Sequence, residues 1–174
     1  MTVHTTYFGG LSQYGPAADV DVFGVVRYPK DFVDRVTDRN IPAVAPPNDL
    51  LDAYKTVEEA AEKNDEPNPA AIAWDSVSYE PRYLQYLERD GPQAVIDELA
   101  DRARECDIWL VCWEKDARWC HRRLLADVVA GRLEDVEVVH HPDPSTIPIA
   151  TDSESGESSD ETATLQEFAE AGGD

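Results

Sequence analysis

Cysteine, methionine and lysine are scarce in this 174-residue chain, at three, one and four residues. Three cysteines do not make a disulfide scaffold. None is needed, because a domain of this length hides roughly 70 % of its unfolded surface on folding. No apolar run approaches the ~20 residues of a membrane span. The opening MTVHTTYFGG has neither a charged n-region nor an apolar h-region, so no secretory leader is expected. These absences predict one soluble, cytoplasmic domain.

Positive charge is the other shortage. The chain has 36 acidic and 15 basic residues, a formal net charge of −21, and Arg132 is its last basic residue. Twelve acids and no Lys or Arg follow it, and eleven of the basic residues are Arg. An acid-rich, lysine-poor surface resembles those of proteins from salt-loving organisms, where charge maintains solubility. The plainer reading is an ordinary acidic domain with an acidic tail. Either way the charge disfavours nucleic acid as a partner, since that binding needs clustered Lys and Arg and weakens as salt rises. At about 1 M salt the screening length is only ~3 Å, so long-range steering would be lost too.

Hydrophobic patterning predicts alternating strands and helices. Residues 3–8 and 20–27 read as strands, ended by Gly9-Gly10 and Pro29. Three prolines exclude regular structure over 41–48. Asn48 or Asp49 then caps a helix with Leu50, Tyr54, Val57 and Ala61 on one face. Ala70 to Trp74 reads as a short buried strand ending at Asp75. Helices are expected around Pro81–Leu87 and from Pro92, the latter with Val95, Leu99, Ala103 and Cys106 on one side. Ile108 to Trp113 is apolar throughout, the pattern of a central parallel strand covered on both faces. A helix over 119–130, closed by Gly131 in the C′ position, and a strand over 136–139 complete the pattern.

The fold expected is α/β, a Rossmann-like three-layer sandwich with a mostly parallel sheet over residues 1–142. Residues 143–174, rich in Ser, Asp and Glu, read as a disordered tail, with Leu165 and Phe168 spaced for a short helix.

In open α/β sheets ligands bind outside the carboxyl ends of the strands. Arg27, Asp75, Cys112 and Glu114 are expected there, and Cys120, His121 and Arg122 open the helix after the fourth strand. A cysteine at a helix N-terminus meets unpaired N–H groups that favour thiolate. His121 suits a general acid or base, with Glu114 to orient it. Arg27 and Arg122 suit a carboxylate or phosphate held bidentately. Together these describe an enzyme acting on a small anionic or nucleotide-like substrate. A non-catalytic ligand-binding or regulatory module is the rival.

The run from Cys112 through Glu114 to Cys120-His121-Arg122 resembles the signature of the family called domain of unknown function 488. In that signature a buried strand ends in Cys-x-Glu, and Cys-His-Arg starts the next helix. Val25-Val26-Arg27-Tyr28-Pro29 is similar to the family's strand-Arg-x-Pro segment, with Val26 where an acid is usual. The Tyr83–Leu87 segment and the helix before the fourth strand also fit. The resemblance spans roughly residues 3–132. It implies the fold and the set of residues, but no reaction.

Other readings of the same residues stay open. Cys112 and Cys120 pack as small hydrophobes while Glu114 pairs with Arg122 in the purely structural one. A zinc site would combine Cys112, Cys120 and His121 with Glu114, His140 or His141; against it, neighbouring side chains on a helix point ~100° apart, so no metal or other cofactor is expected. A redox pair of Cys112 and Cys120 needs Cα atoms within ~7 Å. Cys112 and Arg118 have the Cys-x5-Arg spacing of phosphatase loops, but Glu114 and Asp116 would repel a phosphate there and the loop has no glycine. His4, His140, His141 and Cys106 read as structural or solvent-facing.

Overall fold

The computed structural model describes residues 1–16 and 20–150. In chain order its elements are β1 (Thr2–Tyr7), α1 (Leu11–Tyr14), β2 (Asp21–Gly24), α2 (Val33–Val36), β3 (Arg39–Asn40) and α3 (Asn48–Lys63). There follow α4 (Pro69–Ser76), α5 (Tyr79–Leu87), α6 (Asp90–Glu105), β4 (Ile108–Cys112), α7 (His121–Ala130) and β5 (Glu137–His140). The strands form one sheet in the order β3-β2-β4-β1-β5, and every pair is parallel.

The apolar run of β4 becomes the centre of the sheet. All five of its residues are buried, and β1 and β2 flank it with Val3 and Asp21 both opposite Ile108. Alternation then divides the strands between two cores. Val3, Phe23, Ile108, Leu110 and Cys112 face the large core under α3 to α7, with Leu99, Tyr83 and Leu125. Val22, Trp109 and Val111 face a small core closed by Phe8, Leu11, Tyr14 and Val20. Among the described residues the third layer is therefore thin, a single short helix and its flanking loops.

Three sequence expectations are corrected, the first being the cap of α3: Pro47, not Asn48 or Asp49, is its N-cap, no side chain caps it, and Asn48 is already helical. Residues 70–74 are not a strand but the body of α4. Pro69 takes the first helical turn after Asn68, whose φ is 52°, and the alanines that follow favour helix. A five-residue apolar run has no periodicity with which to tell the two apart. The strand β3 comes instead from Arg39–Asn40, too short and polar to read. Gly131 caps α7, but its φ of −62° is right-handed, so no left-handed C′ turn forms.

Residues 143–150, the start of the expected tail, keep defined contacts. Arg118 Nη2 donates to the Ile147 carbonyl at 3.0 Å, and the Asn68 amide exchanges hydrogen bonds with the Ala150 backbone. Residues 151–174, with Leu165 and Phe168, lie outside the described residues. No helix among the described residues is long and apolar enough to cross a membrane.

Candidate functional site

The carboxyl end of β4 delivers Cys112 to the sheet edge, and the chain returns through a tight 3-10 turn over Ala117–Trp119. Cys120 is the N-cap of α7 and has extended backbone angles, φ −134° and ψ 135°, while His121 is the first helical residue. That change of backbone direction between neighbours turns both side chains toward Cys112. His121 Nδ1 lies 3.8 Å from Cys112 Sγ and 3.9 Å from Cys120 Sγ. The two sulfurs and the imidazole nitrogen all lie within 4.8 Å of one another. The sequence argument that adjacent residues cannot converge fails here because Cys120 is not yet helical.

The imidazole is fixed from behind. His121 Nε2 is 2.7 Å from the carbonyl of Val25, which can only accept, so Nε2 carries the proton. Nδ1 is then the ring's unprotonated nitrogen; Cys112 Sγ lies nearly equidistant from Nδ1 and Nε2, at 3.8 and 3.9 Å, and Tyr83 packs edge-on against the ring at 5.4 Å. Cys120, Cys112 and His121 are only 1 %, 3 % and 5 % exposed. Burial pushes the Cys112 thiol well above its ordinary range, and Cys120 adds to the shift. Burial opposes ionisation of Cys120 as well, but the hydrogen bond from the Cys112 thiol and the Arg122 guanidinium outweigh it and hold Cys120 well below the usual thiol range.

This trio lines a cavity of about 370 Å³, within the range of small-molecule sites. Trp113, Trp119, Tyr54 and Tyr79 provide aromatic wall. Glu114 faces it too, and burial, with Cys120 and Glu58 nearby, raises its carboxyl above the ordinary value. The charged lining among the described residues is Arg27, Lys30 and Lys55 against the single acid Glu114. Two of the chain's four lysines therefore converge on one cavity, and its lining is cationic in a chain of net charge −21.

The residues expected in the site separate into three groups. Cys112, Glu114, Cys120, His121 and Arg27 share the cavity. Arg27 is partly committed, since Nε donates to the Pro46 carbonyl at 3.0 Å and Nη2 to the Ala45 carbonyl at 2.8 Å. Arg122 is fully buried and does not line the cavity; it donates to the carbonyls of Glu114 and Lys115 and so holds the loop after β4. The expected Glu114–Arg122 pair thus runs through the backbone and not the carboxylate. Asp75, set on α4 instead of at a strand end, is exposed and outside the cavity.

The alternative ligands and the phosphatase-like spacing also resolve. His140 and His141 sit on and just after β5, where His141 stacks on Trp109 at 5.0 Å beside His4, away from the trio. Arg118 is engaged by Asp116 at 2.6 Å and does not line the cavity. Sequence reasoning missed Lys30, Lys55, Tyr54 and Tyr79. The rarity of lysine was a signal for the first two, but nothing in the sequence placed them beside Cys120.

Residues 11–133 match the family model DUF488-N3a, described as the active DUF488-N3 subclade. No curated protein matches the chain, and no solved structure does.

Proposed function

The chain belongs to the DUF488 family, and from that premise we propose that it is an enzyme acting on a small anionic, nucleotide-like substrate in the cavity above Cys112, Cys120 and His121. The observation that carries this reading is the cationic lining of that cavity in a strongly acidic chain. Lys30, Lys55 and the free side of Arg27 hold the anionic part, for which a cleft walled by low-dielectric groups strengthens the attraction. Trp113 and Trp119, both half-buried in the cavity wall, offer aromatic surface for a planar ring. The sulfur and imidazole floor meets the reacting centre, and Glu114 is the carboxyl in position to exchange a proton with it. Arg122 is a positioning residue that holds the loop carrying Glu114. The description of the matching subclade as active supports an enzyme.

The near-complete burial of both sulfurs favours the competing reading, a binding module that senses the same ligand without turning it over. Calorimetry with AMP, ribose 5-phosphate and orthophosphate, followed by product analysis, separates the two. The proposal expects one ligand site, weakened at least about tenfold by the Lys30→Ala, Lys55→Ala double variant. It also expects turnover that Cys120→Ser abolishes while binding persists. Binding without turnover would favour the module, and no binding of any of these anions would defeat both.

A further inference from the structure

We infer that Cys112, Cys120 and His121 form a binding site for one thiophilic divalent ion of the zinc class, with a fourth coordination position open to the cavity. The inference deepens the proposed function by naming a cofactor for the same site. It rests on that reading only for the use of the fourth position, because the ligand set stands on the geometry of three side chains.

Tetrahedral zinc has Zn–S bonds of ~2.3 Å and Zn–N bonds of ~2.0–2.1 Å. Those lengths imply edges of about 3.8 Å between two sulfurs and about 3.6 Å between sulfur and nitrogen. The two Sγ to Nδ1 separations of 3.8 and 3.9 Å are within a few tenths of an ångström of that edge, and no atom of the trio is beyond 4.8 Å from another.

The second shell has the arrangement a metal-binding histidine needs. Such a histidine almost always donates its other ring N–H to a carboxylate or backbone carbonyl, which fixes the tautomer and aims the lone pair at the metal. His121 does this through Nε2 and the Val25 carbonyl at 2.7 Å. Its Nδ1 is left unprotonated within 3.9 Å of both sulfurs, which as thiols are weak donors at long range; Cys112 Sγ is also 3.9 Å from Nε2 and has to move toward the Nδ1 side for both to share one ion.

Purely apolar packing of the cysteines does not account for three soft lone-pair atoms converging in a site this buried. Two thiolates side by side there repel each other, and a dication neutralises them. Each thiol that coordinates gives its proton to solvent as the metal–sulfur bond forms. All three cysteines are free, so both sulfurs are available. Two cysteines and one histidine that share a cavity leave the fourth position to water or substrate, the pattern of catalytic and not structural zinc sites.

The test uses the full chain, reduced, stripped with a chelator and titrated with cobalt(II) as the spectroscopic probe, with no substrate present. The expected result is one cobalt per chain, a sulfur-to-cobalt charge-transfer band, the intense visible bands of a tetrahedral ion, and displacement by zinc. Cys112→Ser or Cys120→Ser should weaken binding by more than about 100-fold, beyond the effect of losing an outer-shell partner, while Cys106→Ser leaves it unchanged.

Zinc should also protect Cys112 and Cys120, but not Cys106, from alkylation in the unmutated chain, so a variant that fails to fold does not leave the question open. A titration without the charge-transfer band overturns the inference. So does a band that survives both substitutions, or protection that mass spectrometry traces to a Cys112–Cys120 disulfide. Anion binding by the metal-free chain reads the cavity separately. Metal binding without anion binding would leave the inference standing and defeat the proposed function; the converse would do the opposite.

Discussion

Replacing Arg122 with Met should cost the fold about 3 kcal/mol, roughly 150-fold in the folding equilibrium. Arg122 is 0 % exposed, the largest fully buried side chain among the described residues, and its guanidinium donates to the carbonyls of Glu114 and Lys115. Hydrogen bonds from a charged donor contribute ~1.5–3 kcal/mol each, so losing two costs about 3–6 kcal/mol. Part of that returns because the charge no longer has to be taken out of water. Its Nε has no partner among the described residues, so the parent already carries an unmet donor that Met removes. Met keeps the aliphatic volume and leaves the loop carbonyls without donors.

Arg122→Lys should fall between parent and Met, because a single ammonium lacks the fork that reaches both carbonyls. Urea unfolding followed by tryptophan fluorescence measures the loss, with an unchanged m-value showing that the two end states are comparable. A loss under about 0.5 kcal/mol for Arg122→Met, the range of an inconsequential surface change, would refute the view that this arginine holds the loop.

Gly24→Ala should be destabilising by ~1–3 kcal/mol. An added Cβ would meet Asn40 Oδ1 at 2.7 Å and Val33 Cγ1 at 3.3 Å, and Asn40 cannot retreat without releasing its bonds to the Val26 N–H and carbonyl. An unchanged urea midpoint would contradict this. Leu99→Ala, at a fully buried position of α6, should lose ~2–5 kcal/mol in the same assay, and a loss below 1 kcal/mol would mean that the large core is loosely packed. Stability should also decline in acid through His4, His140 and His141. Burial lowers all three below the usual histidine value, against the opposing pull of Asp107 on His4 and of Asp127 and Asp143 on His140. The unfolded chain therefore takes up protons first as pH falls below about 6.5, so the contribution present above that pH is lost on the way down to the folded-state values. Urea midpoints at pH 7.5 and 5.5 test this, and His141→Phe should reduce the difference between them.

Much of the architecture was determined by local chemistry that a sequence displays. Ile108 to Cys112 is apolar without interruption, and only a strand covered on both faces tolerates that; it is the centre of the sheet. The helical spacing of Leu50, Tyr54 and Ala61 was equally readable, and those residues are buried. The gathering of Cys112, Glu114, Cys120 and His121 around one loop also followed from order along the chain, since a strand end and the next helix start are close in space. Residues 70–74 were not readable, because a short apolar run carries no period and proline at a first turn was the weaker signal.

Tertiary structure decided what the site is made of. Lys30 and Lys55 come from separate parts of the chain, and only the packing of α3 beside the loop after β2 brings both to the cavity. Arg122 and Arg123 are alike in sequence, yet the first is buried under the loop and the second pairs with Glu80 near the surface. Which way His121 points depends on the carbonyl of Val25, a backbone atom 96 residues away that no side-chain pattern can reveal. Sequence order supplies neighbours along the chain; the contacts that orient a lone pair or bury a charge are long-range, and they exist only once the sheet has formed.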